Sequence, residues 1–252
     1  EGEEGVGEGG WERWGGREGG GGGGGSGGGE AGGRGGSPTV GGRAPGEFRA
    51  LAEESGLIVR VGRWVMREGG EGWGGGGGVH FDISQVSINV SNVQFAKDNV
   101  VKILKENIQR SGIAPESIEI EITESYIHDN SDTAIDTLHK IRELGIDLAI
   151  DDFGTGYSSL SYLKQLPISR LKIDRSFISD IPHNNDDVEI TKVIIALAKV
   201  MDLAITAEGI ETIEQMNFLK ELKCDEGQGY IYSKALPYDQ FIELVQKKPF
   251  LV

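Results

Sequence analysis

Residues 149–163 read AIDDFGTGYSSLSYL, an apolar run that ends on two adjacent aspartates and gives way to a Gly-Thr-Gly turn and a further apolar stretch. The run IDLAID, residues 146–151, has the length of a buried strand, and a strand that hands over to a helix through a glycine turn is half of a βα unit. The aspartates pose the chemical question. Two carboxylates a few ångströms apart repel, and one must take up a proton unless something positive lies between them. A divalent cation is the usual remedy, and its other ligands must come from elsewhere in the chain.

Outward from this stretch the pattern repeats. Short apolar or alternating runs occur at QVSINV (85–90), SIEIEIT (117–123), RLKID (170–174), AITAE (204–208) and GQGYIY (227–232). Amphipathic stretches of helical period lie at 96–112, 131–145, 186–202 and 212–223, several opening on Asp, Ser or Asn as helix N-caps do. The interval between strands is roughly 22–34 residues, the length of a βα unit with its loops. Six such units, with room for two more before residue 79, predict an α/β fold: a TIM-type (β/α)8 barrel or a close variant, as a single domain over residues 1–252. A doubly wound open sheet gives similar intervals, and periodicity does not separate the two.

Composition limits the function. The 252 residues carry 25 basic and 40 acidic side chains, a formal charge of −15. That argues against long nucleic acids, which need a basic surface, but not against a small phosphate ligand held through metal ions. The single cysteine, Cys224, excludes an internal disulfide and suits a reducing, cytoplasmic compartment. No apolar run approaches membrane-spanning length. Residues 1–78 hold 34 of the 41 glycines and all four tryptophans, yet residues 37–68 keep the apolar spacing of a folded segment. The glycines there are read as standing for unidentified side chains of the same domain, not as a linker.

In barrels of this kind chemistry gathers at the C-terminal ends of the strands. Alternation puts Ile118, Ile120 and Ile122 on one face and Glu119, Glu121 and Thr123 on the other. Strand exits or their loops then present Asn89, Glu121, Asp151, Asp152, Lys172, Glu208 and Gln228. The metal-binding candidates among these are oxygen donors, which favours Mg²⁺ or Mn²⁺ over Zn²⁺. Two such ions a few ångströms apart are a common device for phosphoester hydrolysis. Each residue alone has a plainer reading: Asp-Asp as a solvated turn, a lysine at a strand edge, Glu119 and Glu121 as the wet face of a strand. The coincidence at several strand exits favours the metal. Asp-Phe-Gly at 152–154 echoes the magnesium motif of protein kinases, but no His-Arg-Asp loop precedes it.

Together, ITES (122–125), DDFGTGYSSLSYL (151–163), LKIDRSFI (171–178), AEGIET (207–212) and QGYIYSKALP (228–237) resemble the EAL-domain cyclic di-GMP phosphodiesterases of bacteria, over essentially all of residues 79–252. Residues 48–68 are similar to the family's segment between its first two strands, and GEAGGRGG (29–36) supplies Glu30, Ala31 and Arg34 of the signature, with Gly32 where leucine belongs. The family's Tyr-Gln-Pro motif falls on Gly15, Gly16 and Arg17, which as written lose a substrate contact.

The resemblance implies two ions, Mg²⁺ or Mn²⁺. Glu30, Asn89, Glu121 and Asp151 would bind one; Asp151 and Asp152 would help bind the other, near Glu208. Lys172 would contact the attacking water or scissile phosphate, and Glu208 would be general base or second-site ligand. Gln228 would orient substrate or the groups around the metals, Arg34 would touch a phosphate, Glu124 would pin the loop after Asp152, and Glu211 would support the site. The implied reaction is hydrolysis of cyclic di-GMP to linear pGpG, in a homodimer whose full-length form carries sensor or GGDEF domains upstream and is sometimes membrane-anchored. The rival is a catalytically silent EAL domain serving as a cyclic di-GMP receptor or interaction module.

Overall fold

The computed structural model describes the backbone of residues 6–13, 27–31, 35–37 and 41–43, and then residues 83–97, 99–129, 131–156, 160–234, 236, 240 and 243–244. Arg34 and the segment 48–68 lie outside the described residues. Strands β1 (Val6–Arg13), β2 (Gly27–Ala31), β5 (Ile83–Asn89), β6 (Ile118–Thr123), β7 (Asp147–Phe153), β8 (Arg170–Ile173), β9 (Ala204–Ala207) and β10 (Glu226–Gln228) close a barrel in the order β1-β10-β9-β8-β7-β6-β5-β2. A separate pair, β3 (Gly35–Ser37) and β4 (Gly41–Arg43), runs antiparallel. Closure settles the choice against an open sheet.

The barrel is a variant of the regular form. Seven strands run parallel to one another, but β1 runs antiparallel to both its neighbours, β10 and β2. An antiparallel neighbour needs no crossover helix, so β1 has no place in a βα repeat.

Helices α1 (Asn92–Lys97), α2 (Val100–Ser111), α3 (Glu124–Asp129), α4 (Ser131–Glu143), α5 (Leu160–Leu163), α6 (Asn185–Val200) and α7 (Ile213–Glu221) lie between the strands. The single helix expected over 96–112 is two, because Asn99 caps α2 by accepting a hydrogen bond from Lys102 N. The expected strand 227–232 stops at Gln228, where the chain turns back with Tyr232 N donating to Gly229 O.

The hydrophobic core lies outside the barrel. Ile118, Ile120 and Ile122 of β6, Leu148 and Ile150 of β7, Leu171 and Ile173 of β8 and Ile205 of β9 are buried in one cluster with Leu104, Leu138, Ile141, Ile194 and Leu219 from the helices. Each such side chain contributes about 1.5–3 kcal/mol on burial. The alternate positions face the lumen, and apart from small residues such as Ala149 they are mostly polar or charged.

Candidate active site

On β8, Arg170 and Lys172 alternate with Leu171 and Ile173, so both long cations project into the lumen at successive levels, about 6.6 Å apart along the strand. At the lower level the Arg170 guanidinium reaches across the barrel. Its Nε donates to Glu119 Oε2 on β6 at 2.7 Å, its Nη1 to Glu226 on β10 and to Thr206 Oγ1 at 3.0 Å, and its Nη2 to Gln85 Oε1 on β5 at 3.2 Å. Ser87 Oγ donates to the other Glu119 oxygen at 2.9 Å. Glu119 and Glu121 are each only 2% exposed, so they line the lumen and are not a wet face. Burial works against the Arg170 charge, but Glu119 and Glu226 outweigh it and raise its pKa.

At the upper level Lys172 Nζ sits among three carboxylates: Glu208 Oε1 at 2.5 Å, Glu121 Oε1 at 2.7 Å and Asp151 Oδ1 at 3.1 Å. Asp152 joins them because of a bulge. The β7–β8 register shifts between Ile150 and Phe153, and Asp152 adopts φ +53°. That left-handed conformation is one Asp tolerates better than most residues, and it lets two consecutive side chains serve one site where alternation would separate them. Oxygens of Asp151, Asp152 and Glu208 all lie within 4.8 Å of one another.

Other sequence candidates converge on the same end. Asn89 is the last residue of β5 and pairs with Glu121. Glu30 lies on β2 opposite Ser87, which lies opposite Glu119. A step of two residues upward over two strands takes this row to Glu121, and the same step takes Glu121 to Lys172, as the stagger of a barrel requires. The backbone of Glu30 is thus on the Glu121–Lys172 layer. Glu124, at the start of α3 and buried, accepts at Oε2 from Gly154 N (3.2 Å) and Gly156 N (3.0 Å), in the loop after Asp152. Gln228 ends β10 and lines a cleft with Arg175, Glu208, Gly209, Glu211, Gly229 and Tyr230. A side chain at Gly229 would meet Ile210 O at 2.1 Å, so only glycine lets the chain pass there. Glu211 is exposed on the cleft wall.

Two participants escaped the sequence reading. Asp174 hydrogen-bonds Asp152; it also accepts from Ser176 N at 2.9 Å and from Ser176 Oγ. Burial raises the Asp152 pKa to about 6, helped by the charges of Asp151 and Asp174 and opposed by Lys172. Asp174 is held below its ordinary value: burial opposes this, but the Ser176 hydrogen bonds prevail. Its signal was present, since Asp174 falls two residues after Lys172 on the same face. Arg175, the next residue, is exposed on the cleft.

The donor set fits divalent cations. Three carboxylates, from Glu121, Asp151 and Glu208, contact Lys172, and Asp152, hydrogen-bonded to Asp174, also feels its charge, so carboxylates outnumber the ammonium at this site. Asp151 Oδ1 is buried and close to Nζ, yet outside hydrogen-bond geometry, so it feels the ammonium's charge without a directed donor. All the ligand atoms are hard oxygens, as Mg²⁺ and Mn²⁺ prefer.

The EAL domain family model matches residues 28–235. The bifunctional diguanylate cyclase/cyclic di-GMP phosphodiesterase MucR of Pseudomonas aeruginosa is 39% identical over 202 residues, 80% of this chain and 29% of its own length. A solved structure described as the PaMucR phosphodiesterase in complex with c-di-GMP superposes with a TM-score of 0.80 at 39% identity, covering 85% of this chain and 87% of that one. The manganese/cy-diGMP complex of Klebsiella pneumoniae BlrP1 superposes with a TM-score of 0.69 at 28% identity, covering 82% and 51%. The chain spans between 26% and 29% of the length of the first curated relatives it matches. With a closed barrel whose exits gather these carboxylates around one lysine, and a family match over most of its length, the chain belongs to the EAL domain family.

Proposed function

We propose that this chain hydrolyses cyclic di-GMP to linear pGpG with two divalent cations, Mg²⁺ or Mn²⁺. The observation that carries the reading is the Lys172 ammonium ringed by Glu121, Asp151 and Glu208 at the open end of the barrel. It is supported by the named activity of MucR and by the manganese/cy-diGMP complex of BlrP1. Glu30, Asn89, Glu121 and Asp151 would hold one cation, and Asp151 and Asp152 would help hold the other, near Glu208, with Asp174 orienting Asp152. Bound there, such ions supply electrophilic activation of the phosphodiester and of the attacking water.

The chain's own residues do the rest. Glu208, beside Lys172 at the cleft, accepts the proton of a water that attacks phosphorus; the P–O3′ bond breaks and the 3′ oxygen leaves as a hydroxyl with the proton that Glu208 gives back. The Lys172 ammonium offsets charge that develops on the phosphoryl oxygens, in a buried setting where each charge counts for more than in water. Gln228 and Arg34 would orient the substrate. Glu124 holds the loop after Asp152 by two backbone hydrogen bonds, keeping Asp151 and Asp152 on one site.

The one-domain reading of residues 1–252 belongs to the same proposal. So do a homodimer, upstream sensor or GGDEF domains in a longer protein, and a cytoplasmic location. Among the described residues no helix is long and apolar enough to cross a membrane. The test is turnover of cyclic di-GMP with Mg²⁺, with Mn²⁺ and with EDTA, following pGpG. Metal-dependent pGpG that disappears in Asp151→Asn supports the reading. Tight binding of cyclic di-GMP without product would make the domain a receptor.

A further inference from the structure

Gln215 sits in the first turn of α7, 4% exposed, with every hydrogen-bonding position of its amide used. Its Oε1 accepts from Glu211 N at 2.9 Å and Thr212 N at 3.0 Å, in the segment that follows Glu208. Its Nε2 donates to Ile178 O at 3.0 Å and Ser179 O at 2.9 Å, at the end of the turn that begins with Arg175. The first pair belongs to an ordinary capping box with Thr212, whose Oγ1 accepts from Gln215 N at 3.2 Å. The second pair does not. Helix capping gives no reason for the amide to reach a loop 36 residues earlier in the chain.

The two loops joined in this way are the walls of the cleft. Arg175 stands on one; Glu208, Gly209 and Glu211 stand on the other. They approach so closely that a side chain at Gly209, where φ is +73°, would meet Arg175 Cβ at 2.5 Å. The base of the second loop is tied by Glu208 N to Ile173 O (3.1 Å) and by Ile210 N to Gln228 O (3.0 Å). Beyond Ile210, the Gln215 amide adds a side-chain bridge between the walls.

We propose that Gln215 is a positioning residue for the reaction: its amide sets the spacing of the cleft walls, and with it the placement of Glu208 against Lys172 and Asp151. The proposal rests on the phosphodiesterase reading above. Gln215→Glu keeps the acceptors for Glu211 N and Thr212 N but turns an oxygen toward the Ile178 and Ser179 carbonyls. Gln215→Met removes both pairs at similar volume and serves if the first variant does not fold. Thr212→Ala removes the cap hydroxyl and leaves the bridge between loops.

All variants are compared in the full chain, below their melting temperatures and at saturating Mn²⁺. The Gln215 variants are expected to lower kcat at least tenfold, as small misplacements of reacting groups do, and to weaken Mn²⁺ binding by calorimetry several-fold. Amide exchange at residues 178–179 and 208–212 should speed up. Thr212→Ala should melt earlier yet keep kcat and Mn²⁺ affinity within twofold. Equal kcat losses in Gln215→Glu and Thr212→Ala, or unchanged kcat and Mn²⁺ affinity in the Gln215 variants, would reduce Gln215 to a helix cap and overturn the proposal. If the unmodified chain gives no pGpG, the phosphodiesterase reading fails instead. Mn²⁺ affinity and amide exchange then decide the role of the bridge, unchanged values overturning it.

Discussion

Replacing Arg170 with methionine removes the cation that, among the described residues, pairs with both carboxylates of the lower lumen. The guanidinium is 5% exposed and its loss leaves Glu119 and Glu226, 2% and 1% exposed, facing each other in the barrel. Breaking a buried ion pair from one side costs about 3–5 kcal/mol, because a charge stays buried without its partner. Ser87 still donates to Glu119 and Thr206 to Glu226, which keeps the cost near the middle, about 4 kcal/mol. At roughly 2–4 °C per kcal/mol for a domain of this size, the melting temperature should fall by about 8–16 °C. Thermal unfolding followed by circular dichroism, with urea titration as a second measure, reads the change. The triple variant Arg170→Met, Glu119→Gln, Glu226→Gln should recover at least half of it, since neither carboxylate is then left buried and charged. A fall below about 1 kcal/mol, or no recovery in the triple variant, would refute the assignment of Arg170 as the charge that holds this layer together.

Lys172→Met should abolish turnover while tightening Mn²⁺ binding in calorimetry, because Glu121, Asp151 and Glu208 lose the ammonium that competes for them; weaker binding would contradict this geometry. In EDTA, Asp152→Asn should raise the melting temperature at pH 7.5. The folded pKa of Asp152, about 6, lies above its ordinary 3.8, so ionisation weakens the fold at high pH. The gain should shrink as pH falls through 6 toward 4, where the native carboxyl is already protonated; a gain that stays constant across that range would argue against the shift. Burial pushes the Cys224 thiol up to about 12, so a disulfide reagent at pH 8 should label it only at the rate of unfolding; immediate labelling of native protein would show the thiol accessible.

Most of the barrel was legible because each strand of β5 to β10 carries its own period and its own helix. What was not legible depends on how strands meet. The wet-face reading of Glu119 and Glu121 came from alternation alone, which separates two faces but does not say that one of them is a closed interior. Arg170 therefore drew no reading of its own, and its partners on β5, β6 and β10 lie 51 to 85 residues away. Asp151 and Asp152 were chosen as a pair, yet strict alternation puts neighbours on opposite faces. The bulge that reunites them is a register shift between strands and leaves no mark in either strand's own pattern. Asp174 was missed because the strand RLKID was read only as far as its lysine.

The split between the two faces of each strand has a consequence for how this barrel can change over time. Outward-pointing isoleucines and leucines carry the burial that folds the chain, and inward-pointing carboxylates and cations carry the chemistry. Substitution at the rim of the lumen, at Glu121 or Glu208, removes charge without opening a void in the apolar shell. The floor around Arg170 stays paired beneath it. A lineage built on this plan has room to lose, retune or replace its reaction while its scaffold persists, so that catalytic history and folding history need not run together.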